Sequence, residues 1–225
     1  MKVIFALPGR SYSGHFLCTF TQTIVALKEQ GHDVRIIQEY SSFVPFARMK
    51  CLGLDARRGA NQVPFDGQVD YDVIFWIDSD MFFIPDQVMD ILRDMEIHPE
   101  YQVVSGIYKM IDMRHYACVE KWDDDAFVRD GSFEFMTDES LRDRERHIKV
   151  AYNGMGFFCV RKGVIENMKY PYFWYPLQEF EREDAAPIRD MCSEDVAFCR
   201  NLKDAGIPIM VNTKVRVGHE KMLVI

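Results

Sequence analysis

Apolar residues follow two alternating patterns along the first half of the chain: short continuous runs and helical spacing. Strands are predicted over residues 2–7, 32–40, 72–77 and 101–108, and the continuous apolar run at 72–77 indicates a central strand covered on both faces. Between the first two predicted strands, Phe16, Phe20, Ile24 and Leu27 recur at helical spacing, which predicts a helix over 15–31 ending at Gly31. Further helices are predicted over 43–53 and 86–96. Strand, helix and strand in succession predict an α/β fold with a mostly parallel central sheet.

The second half of the chain has a different pattern. Residues 120–146 are polar with charges of both signs, and we interpret them as a solvated loop and an edge hairpin. Residues 193–206 predict a helix with Ser193 as its N-cap and Gly206 beyond its end. Shorter strand-like segments occur at 148–152, 156–162, 207–212 and 214–219. No linker or repeat separates the halves, so we expect a single domain with a smaller antiparallel portion in its second half.

Composition narrows the classes of protein. The formal net charge is −8 and no basic run offsets it, which argues against a nucleic-acid partner. No apolar stretch reaches the ~20 residues of a membrane span. The six cysteines are scattered without a CxxC pair, and the N-terminus reads as a strand rather than a signal peptide. We therefore expect reduced thiols and a soluble, cytoplasmic protein.

Two carboxylates interrupt an apolar run in YDVIFWIDSDMFF (71–83). Asp78 and Asp80 lie one residue apart, and residues two apart on a strand share a face. Both would point together just beyond the strand's carboxyl end, where open α/β sheets bind ligands. Convergent carboxylates suit Mg²⁺ or Mn²⁺, and a solvated turn is the alternative.

Several segments resemble GT-A-fold glycosyltransferases, including the short soluble ones such as those of large algal viruses. The D-x-D segment is the first of these. The others, in chain order, are ALPGR (6–10), ARRGAN (56–61), YNGMGFFCVRK (152–162), CSEDVAFCRNLKDAGIPIMV (192–211) and VRVGHE (215–220). Members of the secretory pathway carry an N-terminal membrane anchor, and we expect none here. The resemblance implies one GT-A domain, with a nucleotide-sugar and metal-binding half over about 1–110 and an acceptor-side half over about 111–225.

The resemblance also implies roles for single residues. Asp80 would bind the metal, Asp78 the metal or the ribose, and His219 would be the third protein ligand. The nucleotide-sugar would contact the positions of the matching segments, which are Pro8, Gly9, Arg10, Asp78, Ser79, Asp80, Asn153 and Gly154. Asp195 would act as the general base of an inverting transfer, with Glu194 orienting the acceptor. For these two acids, stabilisation of the first helical turn is the alternative.

Arginines and aromatic residues supply weaker candidates. Arg57 and Arg58 could grip a diphosphate with paired hydrogen bonds, or they could be solvated surface residues. Asp72 could meet the base or ribose, or cap the start of its strand. In YPYFWYPLQEF (170–180), Trp174 and Tyr172 could stack on an acceptor sugar, or pack under a loop.

The sequence thus predicts a Mn²⁺- or Mg²⁺-dependent transferase that moves a sugar from a nucleotide diphosphate donor, a UDP-sugar, to a hydroxyl acceptor. Three alternatives stay open. A phosphohydrolase with an aspartate nucleophile also places D-x-D after a strand, but Phe82 stands where such enzymes carry Thr or Val. A sugar nucleotidyltransferase would need a Gly-rich, lysine-bearing signature near the start. A module that binds nucleotide-sugar or glycan without catalysis is the third.

Overall fold

Strands and helices alternate along the chain in a computed structural model that describes residues 1–183 and 185–221. The strands are β1 (Lys2–Pro8), β2 (Asp33–Glu39), β3 (Val73–Ile77), β4 (Met81–Phe82), β5 (Val103–Ile107), β6 (His115–Val119), β7 (Phe135–Thr137), β8 (His147–Val150), β9 (Tyr152–Asn153), β10 (Phe157–Arg161), β11 (Leu177–Phe180), β12 (Ile188–Met191), β13 (Ile209–Arg216) and β14 (Gly218–His219). The α-helices are α1 (Gly14–Glu29), α2 (Val44–Cys51), α3 (Pro85–Ile97), α4 (Asp124–Asp130) and α5 (Glu194–Asp204). The predicted strands and helices of the first half are confirmed.

The central sheet has seven strands in the order β2-β1-β3-β10-β5-β13-β8. β1 pairs in parallel with β2 and β3, and β5 pairs in parallel with β13. β10 runs antiparallel between β3 and β5, and β8 runs antiparallel at the edge. Most strands therefore share one direction, as predicted, and their carboxyl ends lie on the same side of the sheet.

Both faces of the sheet are covered, which explains the continuous apolar runs. On β3, Phe75 packs into the core that contains α1 and α3, whereas Trp76 packs into the core that contains α2 and α5. All five residues of β3 and all five of β5 are buried. The loops at the carboxyl ends of the strands therefore project from a sheet whose central strands are held in place by packing on both faces.

Three smaller antiparallel sheets are formed mainly by strands of the second half, where the sequence predicted an antiparallel portion. They are β7-β6-β9, β11-β12 and β14-β4. Residues 120–146 contain α4, which the sequence analysis did not predict; the Asp123 side chain caps it by accepting a hydrogen bond from the Ala126 amide at 2.8 Å. The helix buries only Ala126, so it carries almost no apolar periodicity. The two predicted closing strands are one strand, β13, followed by the short β14.

Two further features bear on the expectations for the whole chain. In the described part of the chain, no helix is both long and apolar enough to cross a membrane. All six cysteines are free thiols: Cys18 is exposed, Cys192 half-buried, and the other four are buried.

Candidate functional site

The chain leaves β3 through a tight turn at Asp78–Asp80. The amide of Met81 donates to the Asp78 carbonyl at 3.1 Å, and the amide of Asp78 donates to the Gly156 carbonyl at 3.0 Å. Because these residues form a turn, the alternation of side chains along a strand stops at Ile77. The carboxylates of Asp78 and Asp80 have different hydrogen-bond partners, which are Arg48 for Asp78 and His219 and Lys221 for Asp80.

Asp80 pairs with His219. β14 lies antiparallel to β4, which sets His219 opposite Met81, and the Asp80 carbonyl accepts the Glu220 amide at 2.7 Å. His219 Nε2 lies 3.0 Å from Asp80 Oδ2, and its Nδ1 lies 3.1 Å from the Lys109 carbonyl. Since a carbonyl only accepts, Nδ1 carries a proton. Nε2 then faces the carboxylate in one of two forms. It is either protonated and donates to Asp80, or it presents a lone pair, which is favourable beside a carboxylate only when a cation lies next to both.

A positive charge already lies against Asp80. Lys221 Nζ is 2.7 Å from the same Oδ2 that His219 contacts. Partial burial works to raise the pKa of Asp80, but the hydrogen bonds from His219 and Lys221 outweigh it and lower the pKa to about 2. Asp80 is therefore ionised throughout the neutral range and suited to binding a cation.

Asp78 is bound by an arginine that the sequence analysis missed. Arg48, on α2, is only 3% exposed; its Nη2 donates to Asp78 Oδ2 at 3.0 Å and its Nε donates to Glu194 Oε1 at 3.2 Å. Its guanidinium lies 5.7 Å from the centre of the Trp76 ring. Burial raises the pKa of both Asp78 and Glu194, while Arg48 opposes that shift. The sequence signal that could have identified Arg48 as a buried residue was its spacing. It lies three residues from both Pro45 and Cys51, on the buried face of α2.

The acids of the predicted helix have different surroundings. Asp195 is half-buried, and its Oδ2 accepts the Tyr152 hydroxyl at 2.8 Å. Its Oδ1 accepts the Ser193 hydroxyl and the Val196 amide. Ser193 stands at the N-cap position as predicted, yet its hydroxyl bonds Asp195 rather than a helix amide. Glu194 is 8% exposed, and its Oε1 accepts a hydrogen bond from Arg48 Nε.

The end of β1 lies against the D-x-D turn. The Gly9 amide donates to the Glu39 carbonyl at 3.0 Å. A Cβ added to Gly9 would lie 2.5 Å from the Cβ of Ser79, a distance that real side chains do not reach. Glycine is thus required for this contact between Gly9 and Ser79. Pro8 ends β1, and the Arg10 guanidinium lies 5.8 Å from the centre of the Tyr40 ring.

Asn153 and Gly154 are buried and lie close in sequence to Gly156, whose carbonyl accepts the Asp78 amide. Asn153 is buried, and its Nδ2 donates to Ser105 Oγ at 2.7 Å and to the Gly106 carbonyl at 3.0 Å. A Cβ on Gly154 would lie 2.1 Å from the Tyr108 hydroxyl oxygen. Both residues therefore support the segment whose Gly156 carbonyl holds Asp78.

The remaining candidates stand apart from the turn. The side chain of Arg57 is 90% exposed and pairs with Asp55, and Arg58 Nη2 donates to the Gly53 carbonyl at 2.7 Å. Asp72 precedes β3 at its opposite end, where its Oδ2 accepts the Lys2 amide at 2.6 Å, as a strand-start cap would.

The two aromatic candidates differ in exposure. Trp174 is 36% exposed. Tyr172 is 1% exposed and its hydroxyl donates to the Gln62 carbonyl at 2.5 Å, which agrees with the packing alternative. The structure therefore leaves Trp174, but not Tyr172, with an accessible ring face.

The predicted three-residue metal set is not assembled. Within residues 1–183 and 185–221, no three Asp, Glu, His or Cys side chains are grouped so as to hold a metal ion. The reason is that Asp78 faces Arg48. The donor set still fits a hard cation in part: Asp80 and His219 face each other at 3.0 Å, and Asp78 Oδ1 is buried without a hydrogen-bond partner among the described residues.

Comparisons with known proteins bear on the fold. No protein-family model and no curated protein sequence matches the chain. Among solved structures, protein A197 from STIV is similar with a TM-score of 0.54 and 17% identity, over 100% of this chain and 97% of that one. Glucosyl-3-phosphoglycerate synthase from Mycobacterium tuberculosis, in complex with Mn²⁺, UDP and phosphoglyceric acid, is similar with a TM-score of 0.51 and 11% identity, over 99% of this chain and 72% of that one. With its sheet order and its turn after β3, the protein has the GT-A fold of glycosyltransferases.

Proposed function

We propose that the protein is a metal-dependent glycosyltransferase that moves a sugar from a UDP-sugar to a hydroxyl acceptor. The fold alone does not carry this proposal, because one fold hosts many activities. The observation that carries it is the Asp80–His219 pair at the carboxyl end of β3, with Nε2 and Oδ2 3.0 Å apart and Nδ1 bound to a backbone carbonyl. Metal-ligating histidines are typically oriented by such a second hydrogen bond.

Asp80 and His219 would hold a Mn²⁺ or Mg²⁺ ion, with Asp78 in the same turn. Ions of this type bind through one or two carboxylates together with substrate phosphates, so a full protein cage is not required. When bound, the cation would stabilise the negative charge on the departing diphosphate. Lys221 would have to leave Asp80 for the cation to bind.

Contacts of the β1 end support a donor site beside this turn. Gly9 and Ser79 touch, so the loop after β1 and the D-x-D turn form one continuous surface. Asp78 is a candidate contact for the ribose, and Arg10, Arg57 and Arg58 are candidates for the diphosphate. The two latter arginines would first release Asp55 and the Gly53 carbonyl.

Asp195 is the proposed general base. It is half-buried, whereas Glu194 is buried against Arg48, so Asp195 is the more accessible of the two. Hydrogen bonds from Tyr152, Ser193 and Val196 fix its orientation and leave a lone pair free on Oδ2. Asp195 would accept the proton of the acceptor hydroxyl as that oxygen attacks the anomeric carbon, with inversion.

A donor screen tests this function. UDP- and GDP-sugars are incubated with the protein, Mn²⁺ and a panel of hydroxyl acceptors, and nucleotide release is measured with and without EDTA. UDP and Mn²⁺ come first because the M. tuberculosis synthase binds both. We expect EDTA-sensitive UDP release that Asp80→Asn abolishes. Binding of UDP with Mn²⁺, but no hydrolysis or transfer from any donor, would favour a non-catalytic binding module.

A further inference from the structure

A buried guanidinium joins two parts of the candidate site that are far apart in the sequence. Arg48 contacts Asp78, which follows β3, through Nη2 at 3.0 Å, and Glu194, which begins α5, through Nε at 3.2 Å. The side chain of Arg48 is 3% exposed, and that of Glu194 is 10% exposed. One side chain therefore connects the D-x-D turn directly to the residue preceding Asp195.

Fold stability alone is a poor explanation for this arrangement. Removing ions from water costs free energy that their attraction repays only when the hydrogen bonds are complete. Here they are incomplete, because Arg48 Nη1 and Asp78 Oδ1 are both buried without a hydrogen-bond partner in the described part of the chain. Apolar side chains of similar volume would fill the same space without that cost. What the ions add is a defined relative position, since two nitrogens of one planar group fix two carboxylates.

We propose that Arg48 is a positioning residue for sugar transfer, which sets Asp78 and Glu194 relative to each other and so places Asp195 beside the donor turn. The inference rests on the proposed function. Arg48 acts through the two carboxylates and through the start of α5. Donor binding needs only the D-x-D turn, whereas transfer needs the D-x-D turn and the start of α5 to be correctly positioned relative to each other.

The expected signature is therefore a loss of turnover that exceeds the loss of donor affinity. A displacement of about 1 Å in a reacting group can cost about 100-fold in rate. We expect Arg48→Met to lower kcat about 100-fold per folded protein, and to weaken UDP binding by no more than about tenfold. Arg48→Lys keeps the charge but not the planar two-nitrogen geometry, so it should restore part of the rate, to about tenfold below wild type.

A double-mutant cycle gives the sharper test. Glu194→Met and Arg48→Met each remove one partner of the same hydrogen bond, so the double variant should have nearly the kcat of Arg48→Met alone. The matched control is Arg161→Met. Arg161 is partly buried at the opposite end of the sheet and donates to the carbonyls of Met95 at 2.6 Å and Tyr101 at 3.1 Å. Its loss should lower the melting temperature but leave kcat unchanged, and should combine additively with Glu194→Met.

Two kinetic results would overturn the proposal: a kcat of Arg48→Met within twofold of wild type, or effects of Arg48→Met and Glu194→Met on kcat that multiply. If Arg48→Met does not fold, the same cycle with Arg48→Lys decides. An independent readout is the Nε–H signal of Arg48 in ¹⁵N-edited NMR spectra. It should be protected from exchange in wild type and lose protection in Glu194→Met, which has no acceptor for that hydrogen. If the wild-type protein transfers no sugar, the proposed function fails, and an Nε–H signal that Glu194→Met does not change overturns the Arg48 link separately.

Discussion

Nε2 of His219 lies 3.0 Å from Oδ2 of Asp80, although 139 positions separate the two residues. The pairing of β14 with β4 produces this contact, because it sets His219 opposite the residue that follows Asp80. A nitrogen from the second half of the chain and a carboxylate oxygen from the first half are thus brought together beyond the carboxyl end of β3.

The first prediction concerns this pair. Asp80→Asn should weaken Mn²⁺-dependent UDP binding about 100-fold, or ~2.7 kcal/mol, because it removes the anionic ligand. His219→Ala should weaken it about tenfold, since a neutral ligand is lost. Titration calorimetry with Mn²⁺ and with EDTA measures both. Asp33→Asn and His98→Ala, which lie away from the turn, serve as controls; EDTA-insensitive UDP binding of unchanged strength in Asp80→Asn would remove the metal role.

The second prediction concerns the contact between Gly9 and Ser79. Gly9→Ala places a methyl group 2.5 Å from the Ser79 Cβ, so the loop or the turn must move. We expect at least a tenfold loss of UDP affinity, measured by calorimetry. Gly14→Ala is the matched control, because an added Cβ there meets no atom within 4 Å. Equal UDP affinities in Gly9→Ala and Gly14→Ala would show that Gly9 is not part of the donor site.

The third prediction concerns the diphosphate. At least one of Arg57→Lys and Arg58→Lys should weaken UDP binding about tenfold, because lysine cannot make the planar two-point contact. Arg93→Lys, on the exposed side of α3, is the control. If neither variant differs from Arg93→Lys, both arginines belong to the solvated surface on which the structure places them.

The fourth prediction concerns the chemistry. Asp195→Asn should lower transfer by about 10²–10⁴, the usual contribution of general-base catalysis, and should leave UDP–Mn²⁺ affinity nearly unchanged. Tyr152→Phe removes the hydroxyl that orients Asp195 at 2.8 Å and should cause a smaller loss of rate. NMR of the product should show inversion at the anomeric carbon. Retention of configuration, or near wild-type transfer by Asp195→Asn, would contradict the assignment of the base.

Local patterns predicted the scaffold well, because β1, β3 and β5 are almost entirely buried and read as short apolar runs. The approach of Asp80 and His219 followed from the resemblance of two short segments. Segments that bury few side chains could not be predicted, because they carry little apolar periodicity. α4 buries one residue, and β12 buries none.

The contacts of Asp78 show a different limit of the sequence. The sequence analysis expected Asp78 to bind a metal or a ribose, whereas the structure pairs it with Arg48 from the buried face of a short helix. A single arginine among apolar residues gives no sign of which carboxylates it will meet, since both lie far along the chain. The turn at Asp78–Asp80 likewise overrode the strand alternation on which the two-carboxylate metal site was based.

The position of β10 has a consequence for cutting the chain. Residues 157–161 lie between β3 and β5, which both precede them by at least fifty positions, and they pair with both. A fragment that ends near residue 110 would contain two central strands whose shared neighbour is missing. It would expose two buried, apolar strand edges, the kind of surface that pairs with other chains and aggregates. Any truncation meant to isolate the nucleotide side must therefore keep β10, and a split protein should reassemble best when the break falls in an outer loop and leaves β3, β10 and β5 on the same piece.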